Sequence, residues 1–313
     1  MKKIVRPLVV ATMLLGLASQ QVYAIDTTAI NEKWGKPTVV YGGGLNDQQI
    51  KETSLLLGIK DENTVTTTKA TGEDLVKYLG AGEANTSVMI SSVMVQKRNK
   101  GEGVKVHIAT PKNITLVTSE QYANAAITAG VADAEIEVAA VSKVTGESAL
   151  TGVYKAFEAN GVVLDGKRTA VAQQELELTN QIAQEQSKEK GFDAAKLDQA
   201  MIDIKKSLAE IKEKQGQVAT KEDVERIVND ALKKYGLDKV ISPTQVNNII
   251  QFALSYQQTS AIDSKQVLEQ LNSLSNTVKG KIGQLVDQAN REGWFDKIVA
   301  FFKEIFSAIF NSK

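Results

Sequence analysis

Residues 161–168 read Gly161-Val162-Val163-Leu164-Asp165-Gly166-Lys167-Arg168, and the hydrophobic pattern changes character across them. Upstream, short β-branched runs alternate with short capped helices. Downstream, apolar residues recur at helical spacing almost without interruption. The switch predicts an α+β chain, with a mixed α/β domain at 25–165 and a mainly helical, bundle-like domain at 166–292.

Working back from the switch, Thr38-Val39-Val40-Tyr41 reads as a strand and Gly42-Gly43-Gly44 as its exit. Asn46, with Gln49 three places on, is a capping box for a helix that stops at Gly58. Residues 65–68 form a second short strand, and Thr71-Gly72-Glu73-Asp74 opens a helix closed by Gly80. Residues 88–96 and 104–109 read as two strands joined by the polar hairpin loop 97–103. Laying 46–68 over 118–140 brings Gln49 onto Gln121, Gly58 onto Gly130, Ile59 onto Val131 and Asp61 onto Asp133. A proline-led strand precedes each copy (Pro37, Pro111), and Thr-Gly-Glu follows each, at 71–73 and 145–147. Two readings stand side by side: a pseudo-repeat of strand-helix-strand-helix units with its helices on one sheet face, or two generic capped helices that resemble each other.

Forward of the switch, Leu197, Met201, Ile204, Leu208 and Ile211 follow a four-three spacing, which Leu271, Leu274, Val278, Ile282 and Leu285 repeat. Thr220 with Asp223 starts one intervening helix and Ser242-Pro243 with Gln245 another. Such stripes form a core within the chain or a seam with a second copy, so self-association is an open expectation.

The two ends address location. At 1–24 a basic start (Lys2, Lys3, Arg6) leads into an apolar run and then Val22-Tyr23-Ala24, the pattern of a cleavable secretory signal peptide. The apolar run, about a dozen residues, is short for the ~20 of a spanning helix. Secretion is therefore expected, with retention at the cell envelope as an open extension. At 293–313 an amphipathic C-terminal helix is expected. Trp294, Phe295, Ile298, Phe301, Phe302, Ile305, Phe306 and Ile309 fall on one half of its wheel, and five of the chain's eight phenylalanines gather there. This stripe is the candidate contact with a membrane surface, an envelope protein, a second copy or the chain's own bundle.

Composition narrows the chemistry. Lys+Arg and Asp+Glu number 37 each, and removing Lys2, Lys3 and Arg6 leaves 34 basic against 37 acidic residues. That balance argues against nucleic acid as a partner. Without cysteine there are no disulfides, no thiolate metal sites and no cysteine nucleophile; with His107 as the single histidine, a His-rich zinc site is equally hard to build. No metal or other cofactor is expected, and no catalytic residues are assigned.

Weak candidates remain. Gly42-Gly43-Gly44 invites comparison with phosphate loops, but lacks their Lys-Ser/Thr and reads better as a turn needing positive φ. Ser148, in Gly146-Glu147-Ser148-Ala149-Leu150, resembles part of a nucleophile elbow whose closing glycine is replaced by leucine. It also fits the first turn of a helix capped by Thr145. Its one histidine base would be His107, which alternation places with Lys105 on the face opposite Val104, Val106 and Ile108. Glu73 and Glu147 hold equivalent places in the two Thr-Gly-Glu starts, where they either form a carboxylate pair for acid-base work or complement two helix dipoles.

Four runs carry a resemblance. They are Gly103-Val104-Lys105-Val106-His107-Ile108-Ala109-Thr110-Pro111-Lys112-Asn113-Ile114-Thr115, then Gln121-Tyr122-Ala123-Asn124-Ala125-Ala126, then Thr128-Ala129-Gly130, then Val144-Thr145-Gly146-Glu147-Ser148-Ala149-Leu150-Thr151-Gly152-Val153-Tyr154-Lys155-Ala156. Together they resemble the predicted secreted, YpuA-like family of Gram-positive bacteria catalogued as domain of unknown function one-thousand-two. The resemblance implies export, an α/β N-terminal part and a cell-envelope role, and it carries over no catalytic residue. The expectation is an exported, non-enzymatic envelope-associated binding or scaffolding protein. Its rivals are an envelope-polymer hydrolase using Glu73, Glu147 or Ser148, and a self-assembling secreted structural protein.

Overall fold

The computed structural model describes residues 34–80 and 83–289, with side chains described as far as residue 283. The signal-like segment 1–24 and the apolar stripe at 294–310 lie outside the described residues.

Five strands form one mixed sheet: β1 (Thr38–Gly42), β2 (Thr66–Ala70), β3 (Ser92–Lys97), β4 (Val104–Ile108) and β5 (Ala134–Ala139), in the order β2-β1-β3-β5-β4. β1 pairs parallel to β2 and β4 parallel to β5, while β3 runs antiparallel to both β1 and β5. The expected hairpin of β3 with β4 is therefore corrected, since β5 lies between them. The sequence of β5, Ala-Glu-Ile-Glu-Val-Ala, is buried along almost its whole length and suits an interior position, whereas β4 exposes Lys105 as an edge strand can. The connecting loop turns towards β5 instead of closing on β3. Gly101 and Gly103 donate their amides to Asp133 Oδ1 at 3.0 and 3.1 Å, and Arg98 donates to the Asp133 carbonyl at 2.6 Å.

Four helices accompany the sheet: α1 (Asp47–Leu56), α2 (Gly72–Leu79), α3 (Ser119–Ala129) and α4 (Ser148–Ala159). Capping boxes at Asn46, Thr71 and Thr118 start the first three, each side chain accepting the amide three residues on. The element order does occur twice, as the aligned segments suggest, but the layers differ. The turn after α1 supplies Leu57 and Ile59 to a small cluster with Val39, Tyr41 and Met94 on one sheet face. Helices α2, α3 and α4 join the main cluster with Val40, Val93, Val95, Ile136 and Val138 on the other. Helices on a single face are thus corrected, because the two crossover helices, α1 and α3, lie on opposite sides of the sheet.

The remaining helices are α5 (Gly166–Gln186), α6 (Ala194–Gln215), α7 (Lys221–Lys234), α8 (Pro243–Tyr256) and α9 (Lys265–Ala289). Asp165 caps α5 at the place where the sequence pattern switches, and Thr220 and Ser242 cap α7 and α8. The four-three stripes turn inward: Leu197, Met201, Ile204 and Leu208 on α6, and Leu271, Leu274 and Val278 on α9, are all buried. One continuous apolar cluster runs from Val40 on the sheet through α3 to Val278 on α9. Helix α3 is the hinge of this packing, for every residue from Glu120 to Ala129 is buried.

Candidate functional site

The glycine run after β1 is used for close packing. None of Gly42, Gly43 and Gly44 has a positive φ, which corrects the turn expected there. A Cβ at these positions would come within 2.2 Å of the Met89 carbonyl, 2.7 Å of the Ala70 carbonyl and 2.6 Å of the Ser87 carbonyl. Their amides are also engaged: Gly42 donates to Ser92 Oγ, Gly43 to the Ala70 carbonyl and Gly44 to the Met89 carbonyl. Backbone donors committed in this way do not form an anion cradle.

The two Thr-Gly-Glu starts differ. At 71–73 Thr71 caps α2, Gly72 is the first helical residue and Glu73 lies exposed in the first turn. At 145–147 the glycine has φ +95° and a Cβ there would meet Tyr122 Oη at 2.4 Å. Tyr122 donates its hydroxyl to the Gly146 carbonyl at 2.6 Å, and α4 begins only at Ser148. The expected Thr145 cap is thus corrected, because the turn at Gly146 carries Thr145 away from the helix start. Asn180 Nδ2 on α5 donates to Glu147 Oε1 at 2.6 Å, which gives this carboxylate a structural partner that Glu73 does not share. Ser148 is half-buried at the first position of α4. It lies across the sheet from His107: Gly152 of α4 packs on Val93, which shares its face with Ile108, while His107 points to the other side and sits 3.4 Å from Glu137 Oε1. The structure therefore does not bring Ser148 and His107 together.

A shallow groove of about 660 Å³ is lined by Glu225 and Asn229 on α7, Val240 and Ile241 in the loop that follows, and Val246 and Ile250 on α8, and Glu73, Glu147 and Ser148 are not among its lining residues. No group of three or more metal-ligating side chains occurs among the described residues.

The densest arrangement of chemically capable groups is one the sequence reading passed over. Asn124 and Thr128 on α3, Glu175 on α5 and Lys205 on α6 converge inside the protein. Lys205 Nζ donates to Glu175 Oε1 at 2.7 Å, to Thr128 Oγ1 at 2.9 Å and to Asn124 Oδ1 at 2.5 Å. Thr128 Oγ1 donates to Glu175 Oε2 at 2.6 Å, and the Tyr256 ring lies 5.8 Å from the ammonium. Burial depresses the Lys205 pKa against the opposing pull of Glu175. Nearby Asp198 accepts from Thr118 Oγ1 at 3.1 Å through one oxygen and has no hydrogen-bond partner at the other. Its pKa is raised by burial and then by Glu120. The available sequence signal was Gln121, Asn124 and Thr128, a polar stripe at helical spacing on α3. Lys205 and Asp198 stand beside the apolar stripe of α6, where charged side chains usually reach solvent.

Comparison with known proteins adds a family. A family model described as "Protein of unknown function (DUF1002)" matches residues 41–274, a span that begins within β1 and includes the other four strands and the Asn124, Glu175 and Lys205 cluster. The "Uncharacterized protein YpuA" of Bacillus subtilis (strain 168) is 30% identical over 281 residues, covering 88% of this chain and 89% of that protein. No solved structure matches.

Proposed function

This chain belongs to the DUF1002 family of proteins of unknown function, and from that premise we propose that it is exported and held at the cell envelope as a non-catalytic binding or scaffolding protein. The signal-like pattern at 1–24 supports export, and the apolar stripe from Trp294 to Phe310 supports retention. At about 1.5–3 kcal/mol for each large apolar side chain buried, several of these residues supply ample gross driving force for binding a surface.

The observation that carries the reading is how firmly α9, the helix leading to that stripe, is fastened to the body. Gln270 Nε2 donates to Asp133 Oδ1 at 3.0 Å, and Gln199 with Ser275 links α9 to α6 at 3.0 Å. Lys281 pairs with Glu120 at 2.5 Å. A load taken up by residues 294–310 would pass through these contacts into the sheet and α3. The carboxylates of the rival hydrolase reading are divided between an exposed helix start and a structural bond to Asn180, which removes the symmetry that motivated it.

Deleting residues 294–313 tests the proposal. The truncated protein is expected to move from the cell-associated fraction into the medium while keeping its fold. An unchanged partition would overturn retention through this stripe.

A further inference from the structure

Asn124, Glu175 and Lys205 come from three different helices and meet where none reaches water, with relative exposures of 2%, 1% and 0%. An ordinary buried ion pair gains little over apolar packing, so the Lys205–Glu175 pair alone gives no reason for a carboxamide aimed at the amine. The geometry gives one. With Nζ 2.5 Å from Asn124 Oδ1, and the amide carbon one C=O bond of about 1.2 Å further, Nζ can be no more than roughly 3.7 Å from Cγ. That is close to the ~3–3.5 Å separation of reacting atoms poised for attack. Interchanging the amide oxygen and nitrogen would leave this bound nearly unchanged, since both are bonded to Cγ. Burial favours the neutral amine, the form of Lys205 that carries a lone pair. The Thr128 hydroxyl holds the far oxygen of Glu175, leaving the near one on Nζ.

We propose that Lys205 and Asn124 condense to an intramolecular isopeptide bond, with Glu175 as the proton carrier. Glu175 takes a proton from the Lys205 ammonium, and the freed Nζ attacks Asn124 Cγ. The carboxylic acid returns its proton to Nδ2, the Cγ–Nδ2 bond breaks, and nitrogen leaves as ammonia, which takes up the second proton lost by Nζ. An ammonium and a primary amide thus become a secondary amide and an ammonium ion, and no oxidant or reductant enters. The bond would tie α3, packed on the sheet, to α6 across 81 residues of chain. In a protein without cysteine it would supply the covalent cross-link that a disulfide provides elsewhere.

Mass spectrometry of the purified full chain tests this directly. The intact protein is expected to be lighter than its sequence by one ammonia, and a tryptic digest is expected to contain a branched peptide joining Asn124 to Lys205. Glu175→Gln should restore the full mass and both linear peptides. Asn124→Asp should form the same branch with loss of water in place of ammonia. Should Glu175→Gln fail to fold, Lys205→Met, checked by circular dichroism, should likewise retain its full mass. Folded wild-type protein yielding only linear, unmodified peptides would overturn the proposal. So would ammonia loss without a branched peptide, which marks a succinimide at Asn124. A branched peptide in Glu175→Gln would overturn the role given to Glu175.

Discussion

Helix α3 meets two surfaces of opposite character. Tyr122, Ala126 and Ala129 on one side belong to the apolar cluster that includes Ile136 and Val138 of the sheet. Gln121, Asn124 and Thr128 lie on the other side, where Asn124 and Thr128 meet the buried Glu175 and Lys205. The first interface is held by burial of area, which tolerates imprecision. The second depends on the pairing of Lys205 with Glu175, since an unpaired buried charge costs several kcal/mol. A contact between two parts of a chain can therefore be strong on both sides of one helix for unrelated reasons.

The largest effect should come from breaking the polar side. Glu175→Ala leaves Lys205 uncondensed, charged and without its counter-charge, and is expected to lower stability by about 3–5 kcal/mol, read from the urea midpoint. On the apolar side, Ile136→Ala should cost about 2–5 kcal/mol by opening a cavity under α3. A loss below about 1 kcal/mol for Glu175→Ala would mean that the polar interface is solvated, and the contrast would collapse.

These expectations show which parts of the fold were legible. Caps at Asn46, Thr71, Thr220 and Ser242, and the inward stripes of α6 and α9, could be read because short-range hydrogen bonding and periodicity decide them. The place of β5 between β3 and β4 was not legible, since strand order depends on which strand the sheet can bury on both sides. The Asn124–Glu175–Lys205 cluster was hidden for a sharper reason. A Gln-Asn-Thr stripe is spelled like a solvent face, and nothing local announces that a lysine 81 residues away will meet it.

Two aspartates give the contrast a pH signature. For Asp133 burial works to raise the pKa, but hydrogen bonds from Gln270, Gly103 and Gly101 together outweigh it, and the carboxyl titrates below its usual range. Its stabilisation is present above the unfolded pKa of about 3.9 and is lost as pH falls through the lower folded value. Asp198 has the opposite shift, so the native state holds an extra proton and stability declines as pH rises from the unfolded pKa towards the folded one. Asp133→Asn should flatten the acid limb of a stability-pH profile, and Asp198→Asn should flatten the decline above it. Each change is expected to be on the order of 1–3 kcal/mol. If both substitutions altered the same limb, the assigned environments would be wrong.

The smallest effect separates the two Thr-Gly-Glu starts. Thr71→Ala removes a capping hydroxyl and should cost about 1 kcal/mol, whereas Thr145→Ala should stay within about 0.5 kcal/mol because Thr145 caps nothing. Equal losses would restore the equivalence of the two segments that the structure denies.

The sheet and the helices after Gly166 are expected to unfold as one cooperative body joined through α3. Hydrogen exchange followed by mass spectrometry across a urea series reads this region by region. Peptides from β3 and β5 are predicted to lose protection at the same urea concentration as peptides from α6 and α9. Loss of protection in α6 and α9 while the strands remain protected would contradict it.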